Sequence, residues 1–93
     1  MAEAFVSADQ CRIGRAAIGW TEQDLAAEAR LPAGDIIDLE NGTPVTAATS
    51  SKVLAAFAAA GVSFFQGPDG SSRMRARTLD GIIEAPVTMA PRP

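Results

Sequence analysis

The chain has 93 residues, a net charge of −3 and a pI near 4.7, the mark of one small acidic domain. It contains no His and one Cys, which excludes His-based catalysis, His metal ligation, an intrachain disulfide and a Cys metal cluster. No apolar run approaches the roughly 18–20 residues that cross a bilayer, and Met1 to Phe5 lacks the basic start of a signal peptide. A reducing cytoplasm is therefore expected.

Hydrophobic residues make up 47% of the chain, but much of that is Ala, so the core must be compact and helical. A domain of this size buries only roughly 60–65% of its unfolded surface, and dimerisation would add stability. Charge is split along the chain. Residues 1–45 hold Arg12, Arg15 and Arg30 against eight acids, a net of −5. Residues 46–93 hold Lys52, Arg73, Arg75, Arg77 and Arg92 against three acids, a net of +2.

In chain order, residues 1–6 read as a loose lead-in. Ser7 and Gln10 form a capping box for a helix to about Ile18, stopped by Gly19. Its apolar face uses Cys11, Ile13, Gly14, Ala17 and Ile18, with Phe5 or Val6 stapled to its first turn. Cys11 reads as a small hydrophobe at the core edge. Thr21 caps a second helix whose first turn carries Glu22 and Asp24, suited to the positive end of the dipole. Leu25, Ala26 and Ala29 give it a narrow buried stripe, and Leu31-Pro32 breaks it. A third helix follows Pro32 with Ile36, Ile37, Leu39 and Glu40, and ends at Asn41-Gly42.

Thr43-Pro44-Val45 reads as an extended linker. Thr46 caps an Ala-rich helix from about Ala47 to Ala60, with Val53, Leu54, Phe57 and Thr49 or Ser50 on one face. The period then changes. Residues 62–66 read as a strand, 67–70 as a turn, and 72–78 alternate strictly as a second strand. Leu79 to Ile83 fits either a third strand turned by Asp80-Gly81 or one helical turn. The organisation expected is a helical domain over residues 1–61, a hairpin extension over 62–84 and a disordered, proline-rich tail over 85–93.

Residues Gly19, Trp20, Thr21, Leu25, Ala26, Ala29, Ile36, Leu39, Glu40 and Gly42, with Gln23 one place late, stand at the spacing of a helix-turn-helix. In this the chain resembles the XRE, or Cro/phage-repressor, family of DNA-binding proteins. It departs from that pattern at Arg30, where Gly is usual, at Pro32, where Ser is usual, and at Asp35, where Thr is usual. The stretch from Ala59 to about Thr78 resembles the ends of small bacterial proteins of that type. The resemblance implies a mainly α fold: a four-to-five-helix lambda-repressor-like domain with a short C-terminal β-hairpin. It implies that Arg15 pairs with Glu40 to hold the motif to the first helix. It implies base reading by Ala33, Gly34, Asp35 and Asp38, with Gln23 bracing the reading helix or touching the backbone. Asn41 and Thr43 would offer N–H and hydroxyl groups to phosphates.

The reading helix carries no Arg, Lys, Asn or Gln between Leu31 and Glu40, the residues that most often read bases. A carboxylate can still accept from cytosine N4, but acids near phosphates weaken attraction. Arg73, Arg75 and Arg77 share one face of their strand by period-2 spacing. They grip phosphate, pair with acids on a partner or second protomer, or form a solvated face. Lys52 is a further candidate phosphate contact. No enzymatic constellation appears, and no cofactor or metal is expected. Two functions remain. One is a transcriptional regulator that binds double-stranded DNA as a homodimer, with the hairpin extension carrying dimer contacts, phosphate contacts or both. The other is a module of the same fold that binds a protein partner through its acidic helix face, as an anti-repressor, co-regulator or antitoxin-like protein.

Overall fold

In α1 (Ala8–Ile18), Ser7 accepts from the Gln10 N–H while the Gln10 side chain accepts from the Ser7 N–H. In α2 (Glu22–Ala29), Thr21 and Asp24 make the same reciprocal pair. α3 (Ala33–Glu40) starts after Pro32 with no side-chain cap, and α4 (Ala47–Ala59) is capped by Thr46. The structure is a computed structural model and describes residues 6–87.

Three of these helices end alike. Gly19, Arg30 and Gly42 each adopt a left-handed conformation, and the next residue donates back to a carbonyl five places earlier. Those bonds are Trp20 to Arg15, Leu31 to Ala26 and Thr43 to Asp38, each 2.9 Å. They satisfy carbonyls that the helix ends would leave open. Arg30 is the one non-glycine with positive φ among the described residues, at the position where the family pattern has Gly.

Beyond α4 the chain forms an antiparallel sheet in the order β1 (Val62–Gln66), β2 (Ser72–Thr78), β3 (Gly81–Pro86). The inner face carries Val62, Phe64, Met74, Ala76, Ile83 and Ala85, placed by the registers Val62 with Ala76, Phe64 with Met74, Ala76 with Ile83 and Met74 with Ala85. α1 packs on β2 and α4 packs on β1. Met74 and Ala76 are fully buried, in one core with Cys11, Leu25, Ile36, Val53 and Phe57. An aromatic row ties the layers together: Trp20 stacks on Phe57 at 6.2 Å, and Phe57 meets Phe64 edge-on at 5.7 Å. Gly14 lets α1 close on that row, since a Cβ there would lie 2.9 Å from the Phe57 ring.

The fold is therefore not mainly α. It is an α+β domain of four helices and a three-stranded sheet, with 22% of the described residues in strands. The reason lies in β3. Leu79-Asp80 turns the chain back, and the β-branched Ile82-Ile83 extends the ladder beyond the expected hairpin. The sheet is not an appendage, because its inner face completes the helical core. Ala85 and Pro86 belong to β3, and Val87 is buried, so the first part of the stretch expected as disordered tail is ordered. Residues 88–93 lie outside the described residues, as do residues 1–5 of the expected lead-in. Val6 is buried, and its N–H donates to the buried Ser50 Oγ at 2.8 Å.

Candidate nucleic-acid interface

α2 and α3 are joined by the short turn Arg30 to Pro32 and pack on each other. Ile36, Leu39 and Glu40 face inward from α3 and are buried. The opposite stripe, at helical spacing, is Gly34, Ile37, Asp38 and Asn41, all exposed. Ala33 is half-buried and packs against the core, and Asp35 is half-buried in the first turn. Of the expected reading residues, Gly34 and Asp38 share the outward stripe. Asp35 does not face out as fully as Asp38. Gln23 is exposed on the first turn of α2.

The stripe also contains a residue that the sequence reading placed with the apolar positions. Ile37 is 40% exposed. The signal was available, because adjacent positions on a helix lie about 100° apart and Ile36, Leu39 and Glu40 already define the inward face. Arg30 is exposed in the turn between the two helices, the nearest cation to the stripe by chain position. The backbone N–H groups of Asn41 and Thr43 are spent on the end of α3, on Ile37 and Asp38 carbonyls. Their side chains remain available. Gly34 has open space around it, with no atom within 4 Å of a Cβ placed there.

One charged cluster fixes α3 from behind. Arg15 Nε donates to Glu40 Oε2 at 2.6 Å and its Nη2 donates to Oε1 at 2.8 Å, a two-point pair. The remaining Arg15 nitrogen, Nη1, donates to the Trp20 carbonyl at 3.0 Å. The Cys11 thiol donates to Oε2 at 3.1 Å, and Arg12 donates to the backbone carbonyl of Glu40. Burial alone would raise the Glu40 pKa, but the Arg15 and Cys11 hydrogen bonds overcome it and hold the carboxyl below its usual range. Burial and the neighbouring Glu40 push the Cys11 thiol far up, so it stays protonated and serves as a donor. Neither Cys11 as donor nor Arg12 as clamp was legible in the sequence, since both roles depend on what α3 brings against α1.

The basic residues lie elsewhere. Arg73, Arg75 and Arg77 occupy the outer face of β2, opposite the buried Met74 and Ala76 and thus away from the helices. Arg75 bonds Glu84 at 2.9 Å and lies 4.9 Å from the centre of the Phe65 ring. α1 packs against both β2 and α3 and so lies between them. The arginine ladder and the outward stripe of α3 are therefore not one surface. Lys52 is exposed on α4.

Among the described residues, no group of three His, Cys, Asp or Glu is placed to hold a metal ion, and no helix is long and apolar enough to cross a membrane. No protein-family model matches the chain and no curated protein matches it.

Proposed function

We propose that this chain is a DNA-binding transcriptional regulator of the XRE, or Cro/phage-repressor, type. It acts as a homodimer in the cytoplasm and has no catalytic role of its own. The supporting observation is the pair α2–α3: two short helices on a tight turn, the second pinned by a buried ion pair and exposing one uninterrupted stripe. Its outward residues have the chemistry for base edges. Asn41 can bond adenine at N6 and N7, Asp38 can accept from cytosine N4, and Ile37 can pack on a thymine methyl. Gly34 lets the helix backbone come close. Gln23, Arg30, Thr43, Lys52 and the N-terminal turn of α3 at Ala33 and Gly34 supply the backbone contacts, whereas the Asp35 N–H is spent on the Pro32 carbonyl.

Binding to duplex DNA, random and genomically selected, is measured at low and moderate salt. Binding that weakens as salt rises is expected, and Asn41→Ala should cost roughly 1–3 kcal/mol on a selected site and much less on random DNA. No binding at low salt, where even a few phosphate contacts register, overturns the reading. The competing function is a protein-interaction module of the same fold. Its specific support is the stripe itself, which sets the exposed Ile37 beside Asp38 without a cation in α3. That surface suits a basic, apolar-anchored partner, and it becomes the better reading if DNA binding fails.

A further inference from the structure

Large hydrophobic side chains are exposed at four described positions, and three of them, Leu79, Ile82 and Ile83, lie in β3 and the turn before it. β3 is an edge strand. Ile82 is 64% exposed, and Ile83 is 43% exposed although it belongs to the inner face. An edge with apolar side chains and free backbone groups is a template for another strand. We propose that a second copy of this chain pairs antiparallel along β3, with Ile83 facing Ile83 of the second copy across the two-fold axis, to give one continuous sheet. This rests on the homodimer of the reading above, but not on its DNA contact.

The register follows from the open edge. The Val87 N–H donates to the Ser72 carbonyl, so Val87 points at β2. By alternation Ala85, Ile83 and Gly81 also point their backbone groups at β2, and Ile82, Glu84 and Pro86 point theirs outward. Pro86 has no N–H to give. A second β3 with Ile82 opposite Glu84 of the second copy lets every outward N–H of Ile82 and Glu84 find a carbonyl. Sliding by two residues one way sets Glu84 against Glu84, and the other way sets Glu84 against Asp80. Both shifts bring like charges together, which is unfavourable for directly opposed residues. The favoured register places Ile83 beside its own copy on the inner face. On the outer face it makes the row Arg75, Glu84, Ile82 of the second copy, Arg77 of the second copy. Each Glu84 then has its own Arg75 on one side and a long arginine reaching across Ile82 on the other. Pairing β3 with the opposite edge, β1, would be head-to-tail and would not close; β3 on β3 closes as a dimer.

The test uses the full chain in sedimentation equilibrium and in air-oxidised cross-linking. Wild type is expected to sediment as a dimer. Ile83→Cys should form an interchain disulfide, since opposed residues at a non-hydrogen-bonded position lie within disulfide reach. Ile82→Cys should not, because Ile82 faces Glu84 of the second copy. Ile82→Asp should weaken the dimer by at least about tenfold, whereas Ile82→Lys, which faces Glu84, should keep it. Unchanged circular dichroism and melting confirm that these exposed positions leave the fold intact. A monomer at every concentration up to roughly 1 mM, or Ile82→Cys cross-linking as readily as Ile83→Cys, overturns the proposal. A dimer without DNA binding leaves this interface standing and removes the DNA reading; DNA binding by a chain that stays monomeric does the reverse.

Discussion

Glu40 is buried at the end of α3 and holds four donors, from Arg15, Cys11 and Arg12. Removing it leaves Arg15, with its side chain only 19% exposed, without its hydrogen-bonded carboxylate. Glu40→Ala is expected to destabilise the fold by roughly 3–5 kcal/mol, read by urea denaturation at neutral pH. The pH dependence has a definite sign. The folded pKa is lowered below 4.5, so the contribution is complete above that value and is lost as pH falls through the lower folded pKa. Wild type should therefore lose stability below about pH 4.5 faster than Glu40→Gln. A difference between the two that stays constant with pH would refute the depressed carboxyl. The Arg15–Glu40 pair was visible only through the family pattern. Cys11, one helical turn from Arg15, read as a plain hydrophobe because a thiol gains a donor role only when a carboxylate is folded against it.

The helices themselves were largely legible, because their boundaries are local chemistry. Ser7 with Gln10, Thr21 and Thr46 act over three residues, and Gly19 and Gly42 close helix ends by a backbone conformation that glycine accepts without cost. Packing is not local, and the two glycines inside helices separate the effects. Gly34 faces open space, so Gly34→Ala is expected to stabilise by about 1 kcal/mol through helix propensity alone. A Cβ at Gly14 would lie 2.9 Å from the Phe57 ring and 3.2 Å from the Phe64 ring, so the same change there is expected to destabilise by about 1–3 kcal/mol. Thermal melts of both variants check the opposite signs; two shifts of the same sign would mean that the aromatic row yields. If α3 enters a groove, Gly34→Ala should also weaken DNA binding while raising the melting temperature. That pairing of gain and loss marks a glycine kept for approach rather than for the fold.

At the scale of the molecule, the sequence was least informative about the sheet. Asp80-Gly81 is compatible with a turn into a strand or with the end of a helical turn, and only pairing with β2 decides between them. The alternation of Arg73, Arg75 and Arg77 fixed which residues share a face but not where that face points. α1 and α4 cover the Met74 and Ala76 side, which turns the ladder away from the surface that α3 presents. The chain thus has an acidic helical side and a basic sheet side, and the basic side is already partly engaged with Glu84 and Phe65. If DNA binds through α3 as proposed, counterions leave phosphates beside α2 and α3, not at the outer face of the sheet. Replacing Arg73, Arg75 and Arg77 by Ala should therefore change the slope of log binding constant against log salt by less than about 0.9, the share of one phosphate contact. A fall of about 2–3 in that slope would mean that all three guanidinium groups meet phosphate, and that the duplex runs across β2 rather than along α3.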